Sequence, residues 1–424
     1  MKERLPDRVR HFFRDLGPGV VTGAADDDPS GISTYSVAGA AFGPATLWTV
    51  LLTFPLMTAV QTMCARLGLV TGEGLAGNLR RRYPRWVLWG ACLLLAFANV
   101  VNIGADLAGM GEALELVTGI EERIWPPVLA GAILAGLVLW SYRHLARILK
   151  WITLVLFAYV VAAFLARPDW SAALRATFVP HLAFEPRYLA ILVAILGTTI
   201  TPYMFFWQAA QEVEEERAAG KWTRLARRGA TPKELRLAQE DILTGMGWAG
   251  VAMYFIILTT ATTLHAAGRT EIATARDAAE ALRPLAGDAA YLLFTLGIVG
   301  TGLLAVPVLA GSAAYAVTEA LHWHGSLNDR PRVGARFYAV LGIAVVLGVA
   351  LDMAEIDAVR ALFYAAVVNG LLAPPLVALV ILLTSDREVM GEHTNPRWMR
   401  LLGWATVAIM VAAALALGAA RLTA

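Results

Sequence analysis

The chain has 424 residues, of which 58% are hydrophobic and only 16% are charged, and its mean hydropathy is +0.60. Soluble globular domains carry about 25% charged residues, so this composition excludes a large water-soluble protein with ordinary polar cover. The net charge of +2 indicates no particular partner, and no nucleic-acid partner is expected; the two cysteines, Cys64 and Cys92, offer neither a disulfide framework nor a metal-binding pattern.

Eleven apolar runs, each close to the roughly 20 residues that cross a bilayer as a helix, follow one another along the chain. If the N-terminus is cytoplasmic, the segments on the inside hold 25 of the 35 Lys and Arg residues, which is the bias that sets orientation. We therefore expect an all-α, multi-pass protein of the plasma (inner) membrane, with the lipid bilayer around it and its C-terminus outside. The predicted spans are about 17–42, 45–70, 86–111, 125–142, 150–166, 188–212, 241–266, 289–320, 336–352, 356–383 and 399–419.

The first span contains Asp26, Asp27, Asp28, Pro29 and Gly31, which no ordinary lipid-facing helix contains. An Asp at the centre of a span costs roughly 2.5–3.5 kcal/mol on insertion scales. Proline removes a backbone donor and disfavours helix at the residue before it. The segment is therefore predicted to be two half-helices with an unwound middle, which is tolerated only where protein or a watery cavity surrounds it.

The sixth span repeats this pattern, because Gly197, Thr198, Thr199, Thr201 and Pro202 interrupt an apolar run. Breaks in the first and sixth spans fit a single transporter domain built as a five-plus-five inverted repeat. Its predicted parts are repeat one at about 17–166, repeat two at about 188–383 and an extra helix at about 399–419. Interrupted segments at matching places in two halves are the strongest sequence indication of a transporter's binding site.

The groups available at the two breaks are oxygens. Asp28 supplies a carboxylate, Ser30, Thr198 and Thr201 supply hydroxyls, and the unwound backbone supplies carbonyls. The first half of each broken helix also ends at its break, so its negative dipole end favours a cation there. Oxygen ligands suit hard cations such as Mg²⁺, Ca²⁺ or Mn²⁺, and the small Gly31 leaves space for water that Mg²⁺ sheds reluctantly.

Several motifs in order resemble the Nramp family of divalent metal transporters over nearly the whole chain. The resemblance implies a LeuT-like five-plus-five fold with an eleventh helix, and secondary transport of a divalent metal cation. The motifs are GPG at 17–19 followed by Asp28-Pro29, LAGNLRRRYPR at 75–85, GADLAGMGEAL at 104–114, AGDAAYLLFTLGIVGTG at 286–302, and LLTSDREVMGE with NPRW at 382–398.

The family's metal-binding motifs are changed in this chain. Its Asp-Pro-Gly-Asn motif reads Asp28-Pro29-Ser30-Gly31, so Gly31 stands where the family has a ligating Asn. Its sixth-span motif, Ala-x-x-Met-Pro-His, has Thr198 for the Ala and Thr201 for the soft thioether Met. These changes resemble the Nramp-related magnesium transporter branch, which implies uptake of partly hydrated Mg²⁺, and of Mn²⁺, without proton coupling.

The family's proton route is changed as well. Tyr203 replaces the His of the sixth-span motif, and Gly109 replaces the Glu that follows Asp106 in the third span. Glu215 aligns with an Arg of the family. The resemblance therefore implies that protons do not accompany the metal.

Two interpretations remain open for some of the other polar residues near the breaks. Asp26 and Asp27 either line the access path or pair with a basic group, because three carboxylates so close repel one another without a cation. Asn369, in the tenth span, either hydrogen-bonds a metal-bound water or makes a helix–helix hydrogen bond. Asp106 is a further candidate for the path. The cluster Glu212, Glu214, Glu215 and Glu216 is expected to be a solvated helix end.

Three alternative functions remain open at this point. The first is a proton-coupled Mn²⁺ or Fe²⁺ transporter of the ordinary Nramp type, and the second is a Na⁺-coupled carrier of an organic substrate. The third, a membrane-embedded enzyme, lacks a His/Glu or Ser/His constellation among the spans, so no enzymatic activity is expected. No nucleotide-binding motif and no cofactor are indicated. The oligomeric state is not indicated, and a monomer is compatible with the sequence.

Overall fold

The computed structural model describes residues 17–139, 153–352 and 357–423, and in these ranges all regular structure is helical. The all-α prediction is confirmed. Short 3₁₀ stretches occur at Gly43–Thr46, Glu122–Ile124, Thr153–Leu156, Glu280–Leu282, Gly287–Ala289 and Gly391–His393, and a π-helical turn at Ala261–His265. The α-helices, in chain order, are α1 (Pro18–Asp26), α2 (Pro29–Phe42), α3 (Trp48–Thr71), α4 (Leu75–Arg82), α5 (Arg85–Thr118), α6 (Trp125–Leu139), α7 (Phe157–Leu165), α8 (Trp170–Phe178), α9 (Pro186–Thr199), α10 (Pro202–Ala218), α11 (Arg224–Arg227), α12 (Pro232–Thr260), α13 (Ala275–Ala279), α14 (Arg283–Ala286), α15 (Ala290–Ala320), α16 (Ala335–Asp352), α17 (Ala358–Ser385), α18 (Arg387–Met390) and α19 (Arg397–Thr423).

Nine helical stretches in the described ranges are long and apolar enough to cross a membrane. They correspond to nine of the eleven predicted spans. In the third of these, α5 continues past the apolar run to Thr118, and the sequence MGEALELVTG at 110–119 predicts this helical extension. The first predicted span is absent from this set because its two halves, α1 and α2, are each shorter than a bilayer. The predicted span at 150–166 begins outside the described residues, and α7 is its described part.

The second broken helix occupies the centre of the bundle. The apolar window of Pro186–Ala218 is entirely buried, whereas that of Arg397–Leu422 is only 22% buried. The extra helix α19 therefore lies at the periphery. Polar interruptions are tolerated in Pro186–Ala218 because protein surrounds it on every side.

Small residues bring the half-helices close to their neighbours. A Cβ atom on Gly23 of α1 would lie 2.3 Å from the backbone of Gly245 in α12. A Cβ on Gly197 of α9 would lie 2.0 Å from the carbonyl oxygen of Ala366 in α17. Close approach of this kind is typical of membrane helices, whose association depends on van der Waals packing of small side chains. These contacts fix where the ends of α1 and α9 lie.

Candidate metal site

The first break lies between α1 and α2, and its last residue also caps the N-terminus of α2. Asp28 is the N-cap residue of α2, in extended conformation, and Pro29 takes the first helical position, which suits its fixed φ. Asp28 Oδ1 accepts hydrogen bonds from Gly31 N at 2.8 Å and from Ser30 Oγ at 2.7 Å. The Asp-Pro-Ser-Gly sequence therefore explains both the end of α1 and the start of α2.

The second break lies between α9 and α10, at Ile200 and Thr201. Thr201 is the N-cap residue of α10 in extended conformation, and Pro202 again follows at the first helical position. The Thr201 hydroxyl donates to the carbonyl oxygen of Thr198 at 3.3 Å. Both predicted breaks are thus present, and at each an extended N-cap residue is followed by proline, although only Asp28 caps its helix with its side chain.

The two breaks face each other. Ser30 Oγ lies 3.4 Å from Thr198 Oγ1, and the Tyr203 hydroxyl donates to the carbonyl oxygen of Ala25 at 2.7 Å. A Cβ on Gly31 would lie 3.3 Å from Thr198 Oγ1. The structure therefore brings the five proposed ligand positions to one buried place, although their binding of a metal stays a prediction. These positions are Asp28, Ser30, Gly31, Thr198 and Thr201.

Carboxylates without partners surround this place. Both side-chain oxygens of Asp26, Asp27 and Asp106 are buried, and none has a hydrogen-bond partner in the part of the chain that the structure describes. Asp106 is close enough to Asp28 for the two carboxylates to repel each other. A pairing of Asp26 or Asp27 with a basic group, one of the two alternatives left open by the sequence, is therefore not found among the described residues. Buried carboxylates without partners are costly unless a cation compensates them.

Asn369 makes a helix–helix hydrogen bond, which was one of the two interpretations of this residue. Its Nδ2 donates to Asn102 Oδ1 at 3.1 Å and so joins α17 to α5. Asn369 Oδ1 has no partner within the described ranges. Asn102 was missed in the sequence, although it lies four residues before Asp106 and so on the same helix face.

Tyr35 is a second residue that the sequence reasoning missed. It is fully buried, and its ring lies 3.5 Å from where a Gly31 Cβ would be. Its hydroxyl has no hydrogen-bond partner among the residues described. Tyr35 follows Gly31 by four positions, so the helical period of α2 was the signal that could have identified it.

Gly109, which stands at the family's Glu position, is packed against α17. A Cβ there would lie 2.8 Å from Leu362 Cδ1. A larger side chain at this position would have to displace the leucine. Position 109 is thus filled by an apolar helix contact and carries no carboxylate.

The prediction of a solvated helix end for the Glu cluster is wrong for three of its members. Glu212, Glu214 and Glu216 are buried, and only Glu215 is exposed. Glu214 accepts from Arg217 at 2.7 Å and from Ser326 Oγ at 2.6 Å. The end of α10 is covered because the segment after α15 folds over it, which hydropathy alone does not reveal.

A family model described as natural resistance-associated macrophage protein-like (Nramp) matches residues 19–420. A divalent metal cation transporter MntH of Deinococcus radiodurans is 28% identical over 421 residues, covering 96% of this chain and 90% of the relative. MntH 1 of Pseudomonas aeruginosa, also named a divalent metal cation transporter, is 30% identical, covering 96% and 92%.

Solved transporter structures share the fold. The Eremococcus coleocola manganese transporter superposes with a TM-score of 0.75 at 18% identity, covering 97% of this chain and 87% of the other. MhsT, solved in complex with L-phenylalanine, superposes with a TM-score of 0.60 at 13% identity, covering 96% and 98%. These likenesses agree with the predicted LeuT-like arrangement of helices.

Proposed function

This chain belongs to the Nramp family of membrane transporters, and from that premise we propose that it carries divalent metal cations with Mg²⁺, and also Mn²⁺, as its substrates. The observation that supports this choice is the character of the groups between the two breaks. Asp28, Ser30, Thr198 and Thr201 present oxygens. Thr201 and Tyr203 stand where the family motif has Met and His, so neither position offers a sulfur or an imidazole. Oxygen ligands favour hard cations.

The site further suits an ion that keeps part of its water. One oxygen of Asp28 is already engaged by Ser30 and Gly31. Within the described ranges no three His, Cys, Asp or Glu side chains converge on one point. Mg²⁺ is usually held by one or two carboxylates and retained waters, rather than by a closed cage of protein ligands. The glycine at position 31 adds no side chain between the two breaks, where a Cβ would lie 3.3 Å from Thr198 Oγ1.

Transport without proton coupling is the second part of the proposal. The Tyr203 hydroxyl is held by the Ala25 carbonyl, and Gly109 faces Leu362 instead of offering a carboxylate. A divalent ion that enters at −100 mV gains roughly 4.6 kcal/mol, twice the value for one elementary charge. The membrane potential is therefore sufficient to drive accumulation. Uptake into the cell is consistent with our proposed topology in the plasma membrane, in which the N-terminus is cytoplasmic and the C-terminus is extracytoplasmic.

Proton-coupled Mn²⁺ transport is the second candidate, and one observation favours it. Asp106 remains at its family position, with both oxygens unpartnered among the described residues. A buried carboxylate of this kind is able to take up a proton when no cation is near.

Flux measurements on the purified protein in liposomes distinguish the two candidates. We expect Mg²⁺ and Mn²⁺ to enter under an inside-negative potential while a trapped pH dye stays constant. Asp28→Ala liposomes provide the control for leakage and are expected to show no uptake. Proton influx in step with metal influx would establish coupling and remove the uncoupled proposal, and Mn²⁺ uptake without any Mg²⁺ uptake would remove the proposed selectivity.

A further inference from the structure

The place between the two breaks is closed to solvent in this structure. Asp26, Asp27 and Asp28 are each only 1% exposed. Ser30 and Thr201 are fully buried. Transporters built from repeats open a central site to one side at a time by moving one part of the bundle against the rest. A helix that covers this place must therefore separate from its neighbours before an ion can leave.

Helix α1 has the features of a part that moves. It has only nine residues, Pro18–Asp26, and Asp27 and Asp28 after it are not helical, so the break is able to act as a hinge. On α12 it packs through a glycine, because a Cβ on Gly19 would lie 2.7 Å from Ile242 N. No side chain interlocks at this contact, so α1 is free to leave α12 as a rigid body.

The end of α1 that lies away from the break is held by Asp241 of α12. Gly17 N donates to Asp241 Oδ1 at 3.0 Å, and Gly19 N donates to Asp241 Oδ2 at 2.6 Å. The first N–H groups of a helix lack partners within it and form the positive end of its dipole, so a carboxylate is favoured there. Gly17, the N-cap residue of α1, has no side chain to satisfy them. Asp241 therefore supplies, from another helix, the cap that α1 lacks.

The middle of α1 is held by Gln208 of α10. Gln208 Nε2 donates to Glu212 Oε1 at 2.9 Å, which directs Gln208 Oε1 towards the Thr22 hydroxyl at 2.6 Å. Thr22 shares its one hydroxyl proton between this oxygen and the carbonyl oxygen of Pro18 at 2.8 Å. The side chains of Thr22, Gln208 and Glu212 are all buried. Gln208 thus joins the first half-helix of one break to the second half-helix of the other.

We propose that Asp241 and Gln208 are positioning residues for transport, which hold α1 over the site until their bonds to α1 break and the ion leaves on that side. The Tyr203 hydroxyl donates to the carbonyl oxygen of Ala25, next to the break, and so retains the hinge end of α1. Hydrogen bonds of this kind are modest in net free energy, so the form with α1 released is a minor but accessible one. The inference rests on the proposed place of the ion between the breaks, but not on which ion is carried.

The reactivity of single cysteines in the purified, metal-free protein tests this inference. Cys64→Ala and Cys92→Ala first remove the two native thiols, both of which are buried. Ala24→Cys then reports on α1, and Ala38→Cys reports on α2, which lies on the other side of the break; both alanines are buried. The rate of labelling by a charged methanethiosulfonate reagent measures how often each position opens to water. Because no metal is present, the result is independent of the ion that the site selects.

Loss of the bonds that hold α1 should raise the labelling rate at position 24 and leave it unchanged at position 38. We expect an increase of about fivefold in Gln208→Leu, which removes one neutral hydrogen bond, and of at least about tenfold in Asp241→Ala, which removes two charge-assisted ones. Thr22→Val removes only the α1 partner of Gln208. It should therefore match Gln208→Leu, and the double variant should show no further increase, since both substitutions delete the same bond.

Two matched controls should label like the parent protein. Gln211→Leu changes a glutamine of α10 whose amide nitrogen has no partner within the described ranges, and Glu240→Gln changes the exposed neighbour of Asp241. Thermal melts identify any variant that fails to fold, and Thr22→Val, which is nearly isosteric, keeps the test available if Asp241→Ala does so. Hydrogen exchange should quicken in peptides of α1 and not in those of α2. Labelling at position 24 no faster than in the controls would overturn the proposal, and so would an equal rise at both positions, which would indicate a general loosening of the bundle.

Discussion

Replacing Asp28 by Asn separates the two roles that the structure gives this residue. Asp28 Oδ1 caps α2 by accepting from Gly31 N and Ser30 Oγ, and an Asn amide oxygen accepts the same bonds, because Asn and Asp are about equally good N-caps. Asp28→Asn is therefore expected to change the melting temperature little. Asp28→Ala leaves two buried donors unsatisfied, which costs about 1–3 kcal/mol each.

The loss of the charge is expected to dominate metal binding. A divalent cation about 4 Å from one carboxylate gains roughly 8 kcal/mol at an effective dielectric constant of 20, twice the value for a monovalent pair. If desolvation leaves only a third of that energy, the affinity still falls roughly 100-fold at 1.4 kcal/mol per factor of ten. We expect at least that loss in Asp28→Asn.

Calorimetric titration with Mn²⁺ and Mg²⁺ in detergent measures the affinity, and a fluorescence melt of the same sample measures stability. Asp169→Asn is the matched control, since Asp169 caps α8 by accepting from Ser171 N and Ala172 N far along the chain from the breaks. Asp28→Asn with wild-type affinity would refute the assignment of the carboxylate to the metal. Asp28→Asn as unstable as Asp28→Ala would refute the separation of the two roles.

Three further outcomes are expected. Thr201→Met should raise the affinity for Cd²⁺ about tenfold in the same titration, because a thioether prefers soft ions; an unchanged Cd²⁺ affinity would show that position 201 does not face the metal. Gly31→Ala should slow Mg²⁺ flux several-fold with little change in melting temperature, because its Cβ would lie 3.3 Å from Thr198 Oγ1 and narrow the space between the two breaks. Gly90→Ala, whose Cβ would meet nothing within 4 Å, should leave flux unchanged. Tyr203→Phe should lower the free energy of unfolding by about 1 kcal/mol through the lost hydrogen bond and leave metal influx free of acidification; a changed proton flux would place the hydroxyl on a proton route.

Local physical chemistry was enough to predict nine of the spans and both breaks. Apolar length decides that a segment crosses a bilayer. Asp28-Pro29 and Thr201-Pro202 favour a break, because proline lacks a donor and restricts the residue before it and because polar residues stand beside each proline. The structure has an extended N-cap residue at both positions. Proline alone does not decide this, since Pro55, Pro307, Pro374 and Pro375 lie inside continuous helices.

The contacts between helices were decided only by the tertiary structure. The pairing of Ser30 with Thr198 and of Asn102 with Asn369 depends on the rotation and close approach of helices far apart in the chain. Hydropathy reports how apolar a segment is, but not which neighbour covers it, so it placed Glu214 in solvent although Ser326 and Arg217 bury it. The sequence by itself determined that the chain has two interrupted membrane helices, whereas the packing of small residues determined which oxygens meet between them.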